Sequence, residues 1–103
     1  ASLNFEKPNH AVFPCLNLAK AAFEAGGTSC ATLNAANEQA VDAFLKGNIP
    51  FCKIPDIIER VLSLAPNSQV LSIEDVLQAD SLARNLAQEE VAKMKVSMVP
   101  LNL

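Results

Sequence analysis

The chain has 103 residues, half of them hydrophobic, and a formal net charge of −3 at pH 7. This length supports one domain with one core, and the apolar content excludes an intrinsically disordered chain. The acidic balance argues against a nucleic-acid binder, which would normally carry a basic stripe, and no apolar run approaches the ~20 residues that span a membrane.

The N-terminal segment 1–13 carries alternating apolar residues, Leu3 and Phe5, and the lone histidine of the chain, His10. This pattern predicts an extended linker from a preceding domain. We expect His10 to be a surface residue, because a catalytic or metal-ligating histidine needs a partner and none is visible in the sequence. The first residue is Ala1 rather than methionine, so we expect a processed chain or a piece of a longer one.

The first two predicted helices flank a pair of glycines. The first helix begins at Pro14, because a proline in the first turn needs no N–H, and it ends before Gly26-Gly27. The second covers the Ala-rich stretch 31–47, which has no glycine or proline in its interior. We expect Thr28 or Ser29 to cap this second helix. Because the connection is so short, the two helices must be neighbours.

Two more helices are predicted in the second half of the chain. Pro55 opens the third, which carries a dense apolar stripe. Ser72 is the expected N-cap of the fourth, which runs to about Lys95 with apolar residues at three- and four-residue steps. On this last helix, Asp80 and Arg84 have the spacing of a helical ion pair.

These elements predict an all-α domain. We expect a four-helix bundle-like arrangement over residues 14–97, because short connections favour neighbouring helices. The extended lead-in 1–13 precedes it, and the segment 98–103, which shows no pattern, is expected to be a frayed tail.

The second helix contains a polar group on its predicted apolar face. At ~100° per residue, the apolar face is expected to consist of Leu33, Ala36, Ala40, Val41 and Phe44. The opposite face is expected to consist of Ala35, Gln39, Asp42 and Lys46. Asn37 falls among the apolar residues, and Asn34 and Glu38 line the edge beside it.

A buried amide without a partner costs roughly 1–3 kcal/mol, so we expect Asn37 to be hydrogen-bonded to the backbone of another segment. Substitution of Asn37 by alanine or leucine should then lower the thermal stability. We predict that Asn34, Asn37 and Glu38 form a structural polar cluster.

The three cysteines, Cys15, Cys30 and Cys52, lie far apart and without a CxxC spacing. This pattern is typical of a reduced chain in which cysteines serve as small apolar residues rather than as disulfides or metal ligands. With only three glycines, the chain offers no glycine-rich phosphate loop. The residues alone therefore predict an intracellular helical module without a catalytic, cofactor-binding or metal site of its own.

Several short motifs follow one another in an order that resembles a known family. They are Phe13-Pro14-Cys15-Leu16, Leu18-Ala19, Gly26-Gly27, Leu33-Asn34-Ala35-Ala36-Asn37-Glu38, Ala40-Val41 and Ala43-Phe44-Leu45. In this order they resemble the C-terminal region of the 1-deoxy-D-xylulose 5-phosphate (DXP) reductoisomerases. The resemblance covers about Leu3 to Lys95, and the run LNAANE is specific in this context.

The resemblance implies the C-terminal helical domain of a three-part enzyme, preceded by an NADPH-binding domain and a catalytic domain. Such enzymes convert DXP to 2-C-methyl-D-erythritol 4-phosphate in non-mevalonate isoprenoid synthesis, with NADPH and a divalent metal, Mg or Mn. The nucleotide loop, the acidic metal ligands and the phosphate-binding residues of the family all lie upstream, so none maps onto this chain. The parent implied is a homodimer of the cytoplasm or, in a eukaryote, of a plastid-type organelle.

We therefore expect a structural role, in which this domain packs on the catalytic domain of its own chain and is inactive alone. The alternative is a stand-alone helical binding or adaptor module that holds a peptide in an apolar groove. A third interpretation, a small enzyme built around Glu38, lacks the convergent groups that catalysis requires.

Overall fold

A computed structural model of the chain describes residues 13–97. Its four helices are α1 (Phe13–Ala25), α2 (Ser29–Leu45), α3 (Ile54–Leu64) and α4 (Ile73–Ser97), with a 3₁₀ turn at Phe51–Lys53 before α3. The predicted all-α, four-helix architecture is confirmed. Apart from Phe13, where α1 begins, the predicted linker 1–13 with His10 and the predicted tail 98–103 lie outside the described residues.

The second helix is the centre of the domain. It packs against each of the other three helices, and α3 also contacts α1 and α4. Most of the residues that α2 buries are alanines, namely Ala35, Ala36, Ala40 and Ala43, beside Ser29 and Thr32. Because the distance between two packed helices depends on the side chains at the contact, these small residues allow close approach. Of the helices between residues 13 and 97, none is long and apolar enough to cross a membrane.

The bulk of the core comes from α3. Its fully buried Ile57, Ile58 and Val61 are the largest side chains that are withdrawn from solvent, and they pack against the alanines of α2. The last helix contributes two further small residues, Ala83 and Ala87, which are also fully buried. Branched residues on one helix therefore fill the space that alanines leave on two others, as close packing of an interior requires.

The turn between α1 and α2 is fastened to the connection between α3 and α4. The backbone N–H of Thr28 donates to Ser68 O at 2.9 Å and to Asn67 Oδ1 at 3.0 Å. The Thr28 hydroxyl in turn accepts a bond from Ser68 N at 3.0 Å. Thr28, one of the two predicted capping residues, does stand at the N-cap position of α2, but its side chain does not cap the helix, because that oxygen bonds a different segment. This reciprocal contact, the Thr28–Ser68 clamp, joins the two halves of the chain.

The start of α4 is capped by Asp75 rather than by the hydroxyl of Ser72. Asp75 Oδ2 accepts from the backbone N–H groups of Leu71 at 2.8 Å and Ser72 at 3.1 Å. This is the reach-back half of a capping box, in which the third helical residue satisfies the donor at the N-cap position. Ser72 does stand at the predicted position, directly before Ile73.

Replacing Gly27 by alanine should lower the free energy of unfolding more than the same replacement at Gly47. Both glycines have positive φ, +59° and +77°, so each alanine costs about 1–2 kcal/mol for the left-handed backbone alone. Only at Gly27 would the new Cβ also lie 2.5 Å from Asn67 Oδ1 and Ser68 O; nothing lies within 4 Å at Gly47. Urea unfolding of Gly27→Ala and Gly47→Ala measures both losses. Equal losses would show that the close approach to the α3–α4 connection has no energetic weight.

Candidate functional site

Two of the three residues predicted to form a polar cluster are joined on the outer side of α2. Asn34 Nδ2 donates to Glu38 Oε2 at 3.1 Å. The other carboxylate oxygen of Glu38 accepts from Arg84 Nη2 of α4 at 2.9 Å. Arg84 also donates from Nε to Asp80 at 2.8 Å, which confirms the predicted Asp80–Arg84 pair. The result is a chain of contacts from α2 to α4, the Glu38–Arg84 brace.

The brace is a compensated ionic contact at the surface. Hydrogen bonds to Asp80 and then to Glu38 raise the pKa of Arg84 above its ordinary value, so the guanidinium keeps its charge. Because Glu38 is half-exposed and solvent screens the pair, its contribution to stability is modest. Among the described side chains, no grouping of three or more His, Cys, Asp or Glu could hold a metal ion. The brace is suited to fixing α2 against α4.

The prediction that Asn37 is buried is wrong, because its side chain is exposed. Conversely, Ala35, which was expected to face solvent, is fully buried. Its neighbour Gln39 accepts a hydrogen bond from Gln88 of α4 at 3.2 Å, so α4 covers part of the side of α2 that was predicted to be exposed. Asp42 and Lys46 on that side are exposed as predicted. The large apolar residues of α2 lie only at the margin of the core, and the alanines define its buried face.

The cysteines have different environments. Cys15 is half-buried, and burial raises the pKa of its thiol, which therefore stays protonated and behaves as an apolar group. Cys30 and Cys52 are exposed, so the prediction of a role as small apolar residues is wrong for them. All three are free thiols.

An apolar groove of about 390 Å³ lies beside the brace. The first two helices and one residue of α3 form it, and it is lined by Cys15, Leu16, Ala19, Leu33, Asn34, Asn37 and Ile58. We refer to it as the α1–α2 groove. Asn34 belongs both to the groove and to the brace, whereas Asn37 contributes only to the groove. Sequence reasoning missed this feature, because it assigned Asn37 to the core.

Other large apolar side chains are also exposed in the described region. Ten of them show at least 40% of their surface to solvent: Leu16, Phe23, Leu45, Phe51, Leu64, Val70, Leu71, Ile73, Leu77 and Leu82. Single exposed apolar residues are normal, but apolar surface that gathers into patches marks a contact with another structure.

Comparison with known proteins gives a consistent result. A family model described as "DXP reductoisomerase C-terminal domain" matches residues 1–86. The 1-deoxy-D-xylulose 5-phosphate reductoisomerase of Paraburkholderia xenovorans is 50% identical over 94 residues, which are 91% of this chain and 23% of that protein. The corresponding protein of Burkholderia lata is 53% identical over 93 residues, 90% of this chain and 23% of that protein.

A solved structure gives the same result. The 1-deoxy-D-xylulose 5-phosphate reductoisomerase from Zymomonas mobilis in complex with NADPH superposes with a TM-score of 0.76 at 39% identity. The match covers 82% of this chain and 22% of that one. The chain thus spans about a quarter of the length of the relatives that it matches.

The orientation of α2 can be tested with a pair of leucine substitutions. Ala35→Leu should lower the free energy of unfolding by about 1–3 kcal/mol, because it overpacks the interface with α4. Asn37→Leu should change it by less than about 0.5 kcal/mol, because the site is open to solvent. Urea unfolding of both variants gives the comparison. An equally large loss of stability in Asn37→Leu and Ala35→Leu would mean that α2 is rotated so that Asn37 faces the core.

Proposed function

The chain belongs to the DXP reductoisomerase family, and we propose that it serves as the C-terminal helical domain of such an enzyme. The observation that carries this proposal is the match of the family's C-terminal domain to residues 1–86, in a chain that spans 23% of its relatives. The role of the domain is structural. It packs beside the catalytic part of the same polypeptide and holds that part in its working geometry.

In this proposal the chemistry is assigned to the preceding polypeptide. That part would bind NADPH and a divalent metal, Mg or Mn, and would rearrange and reduce DXP to 2-C-methyl-D-erythritol 4-phosphate. The NADPH complex of the Zymomonas relative supports the choice of cofactor. The described residues of this chain do not fit a metal site, since they contain no suitable grouping of ligands. No catalytic step is therefore placed on this domain.

The structural role agrees with the surface of the domain. The charges between α2 and α4 are paired within the domain, since Arg84 bonds both Asp80 and Glu38. The exposed apolar side chains on α1, Leu16 and Phe23, in contrast, are of the kind that a neighbouring structure covers. For the parent enzyme we also propose a homodimer in the cytoplasm, and the bacterial relatives support a bacterial source. A plastid-type organelle would replace the cytoplasm if the source were eukaryotic.

A stand-alone adaptor is the second candidate function. The observation that favours it is the α1–α2 groove of about 390 Å³, whose apolar lining could hold a side chain from a peptide. The same groove is explained without a foreign partner if the preceding part of the parent chain covers it. The experiment below separates these two functions.

A hybrid enzyme tests the proposed function. In the Paraburkholderia relative, the matched region of 94 residues is replaced by this chain. The hybrid should consume NADPH in the presence of DXP and Mg²⁺ at a rate within about tenfold of the unmodified relative, because imperfect packing across the new interface should cost no more than about 1.4 kcal/mol in the barrier.

Two controls accompany the hybrid. The 103-residue chain alone and the relative truncated before the matched region should both show no NADPH consumption above the blank. Turnover by the chain alone would contradict the structural role. A folded hybrid without turnover would contradict membership of this domain in a working reductoisomerase and would favour the adaptor.

A further inference from the structure

We infer that the α1–α2 groove is the surface on which an apolar segment of the preceding polypeptide docks. This inference rests on the proposed function, because it takes the occupant to be part of the same enzyme chain. It goes beyond that function in assigning the contact to one face of the domain. The groove combines an apolar floor with one side-chain amide, that of Asn37, that has no hydrogen bond among the described residues.

An exposed apolar residue of α1 lies beyond the groove, on the same side of the helix as Leu16. Leu16, at the edge of the groove, exposes 61% of its surface, and Phe23 exposes 77%. These residues are seven positions apart, so they lie on one side of α1, two turns from each other. Between them and α2, the small side chain of Ala19 forms part of the floor. The surface can therefore accept more than a single side chain.

The polar edge of the groove contains two side-chain amides, and among the described residues only that of Asn34 is hydrogen-bonded. Asn34 is held by its bond to Glu38, at 3.1 Å. Asn37 makes no such bond within the described residues, and its exposed amide lies beside Leu33 and Ile58. An amide offers two donors and an acceptor, which suits the backbone of an incoming segment. Apolar surface with a few convergent polar groups is typical of recognition sites.

The position of the groove favours the preceding polypeptide as its occupant. The helix α1 begins at Phe13, and Leu16 is one turn further along it. In the relatives, about three quarters of the polypeptide lies outside the matched region, and the match is to the C-terminal domain. A segment tethered so close by is held at high effective concentration and loses little freedom when it binds.

A competing apolar patch lies far from the start of α1. It consists of Val70, Leu71, Ile73 and Leu77, before and within the first turns of α4. The Thr28–Ser68 clamp holds this region next to the C-terminal end of α1. Because α1 has 13 residues, its C-terminal end is about 20 Å from its start. The groove is therefore the nearer surface for the preceding segment.

The test uses the hybrid enzyme described above, with cysteines introduced as reporters. Leu16→Cys lies in the groove, and Leu71→Cys is the matched control in the patch near α4, where the native leucine exposes 78% of its surface. Alkylation by iodoacetamide is followed at each position by mass spectrometry. If the groove is covered, the reporter at position 16 should react at least about tenfold more slowly than the one at position 71, because a covered thiol is withdrawn from the reagent.

A second pair of variants measures the consequence for the enzyme. Leu16→Glu should lower NADPH turnover by the hybrid at least about tenfold, because the new carboxylate would be buried without a partner. Leu71→Glu should leave the turnover within about twofold, as expected for a solvent-exposed position.

Similar alkylation rates at positions 16 and 71 would overturn the inference, and protection at position 71 alone would move the docking surface to α4. The labelling does not require turnover. An inactive hybrid would therefore refute the proposed function, while protection at position 16 would still decide where the domain docks.

Discussion

The packing of this domain depends on the alanines of α2. Ala35, Ala36 and Ala40 are fully buried and allow three helices to approach one. Larger side chains there would separate the helices, and the branched residues of α3 would lose their contacts. Small residues contribute little hydrophobic free energy themselves, whereas Ile57, Ile58 and Val61 are the largest fully buried side chains of the described residues and contribute more. The central helix provides the space, and α3 fills it.

Much of this fold could be predicted because its signals are local. Pro14 and Pro55 mark the first turns of α1 and α3, and the glycine pair follows the end of α1. Such residues act through backbone geometry, so their effect does not depend on distant partners. The Asp80–Arg84 pair could be predicted in the same way, because helical spacing alone brings the two side chains together.

The wrong predictions have a common physical cause, because each concerns a feature that depends on tertiary contacts. Ala36 and Ala40 of the predicted apolar face of α2 are buried as expected, but the neighbouring helices also bury Ala35 and leave Asn37 exposed. The Glu38–Arg84 contact joins residues 46 positions apart, and the bond between Ser68 and the Thr28 hydroxyl joins residues 40 apart. No periodicity in a single sequence specifies such pairs. The candidate groove was missed for the same reason.

The groove and the brace lie next to each other along α2, and Asn34 belongs to both. The Glu38–Arg84 brace joins α2 to α4 within the domain. Leu16 and Asn37 line the groove, and the amide of Asn37 has no hydrogen bond among the described residues. Within LNAANE, Ala35 and Ala36 are buried in the core and Glu38 joins two helices. We propose that Asn37 faces the polypeptide that precedes the domain.

The proposed structural role requires a longer polypeptide that precedes this domain in the same enzyme. The most direct test is the sequence of the coding DNA upstream of the Ala1 codon. The account predicts an open reading frame that continues upstream for several hundred codons and encodes a glycine-rich turn after a strand, followed by a group of acidic residues. A start codon immediately before Ala1 would contradict it and would establish a free-standing helical protein.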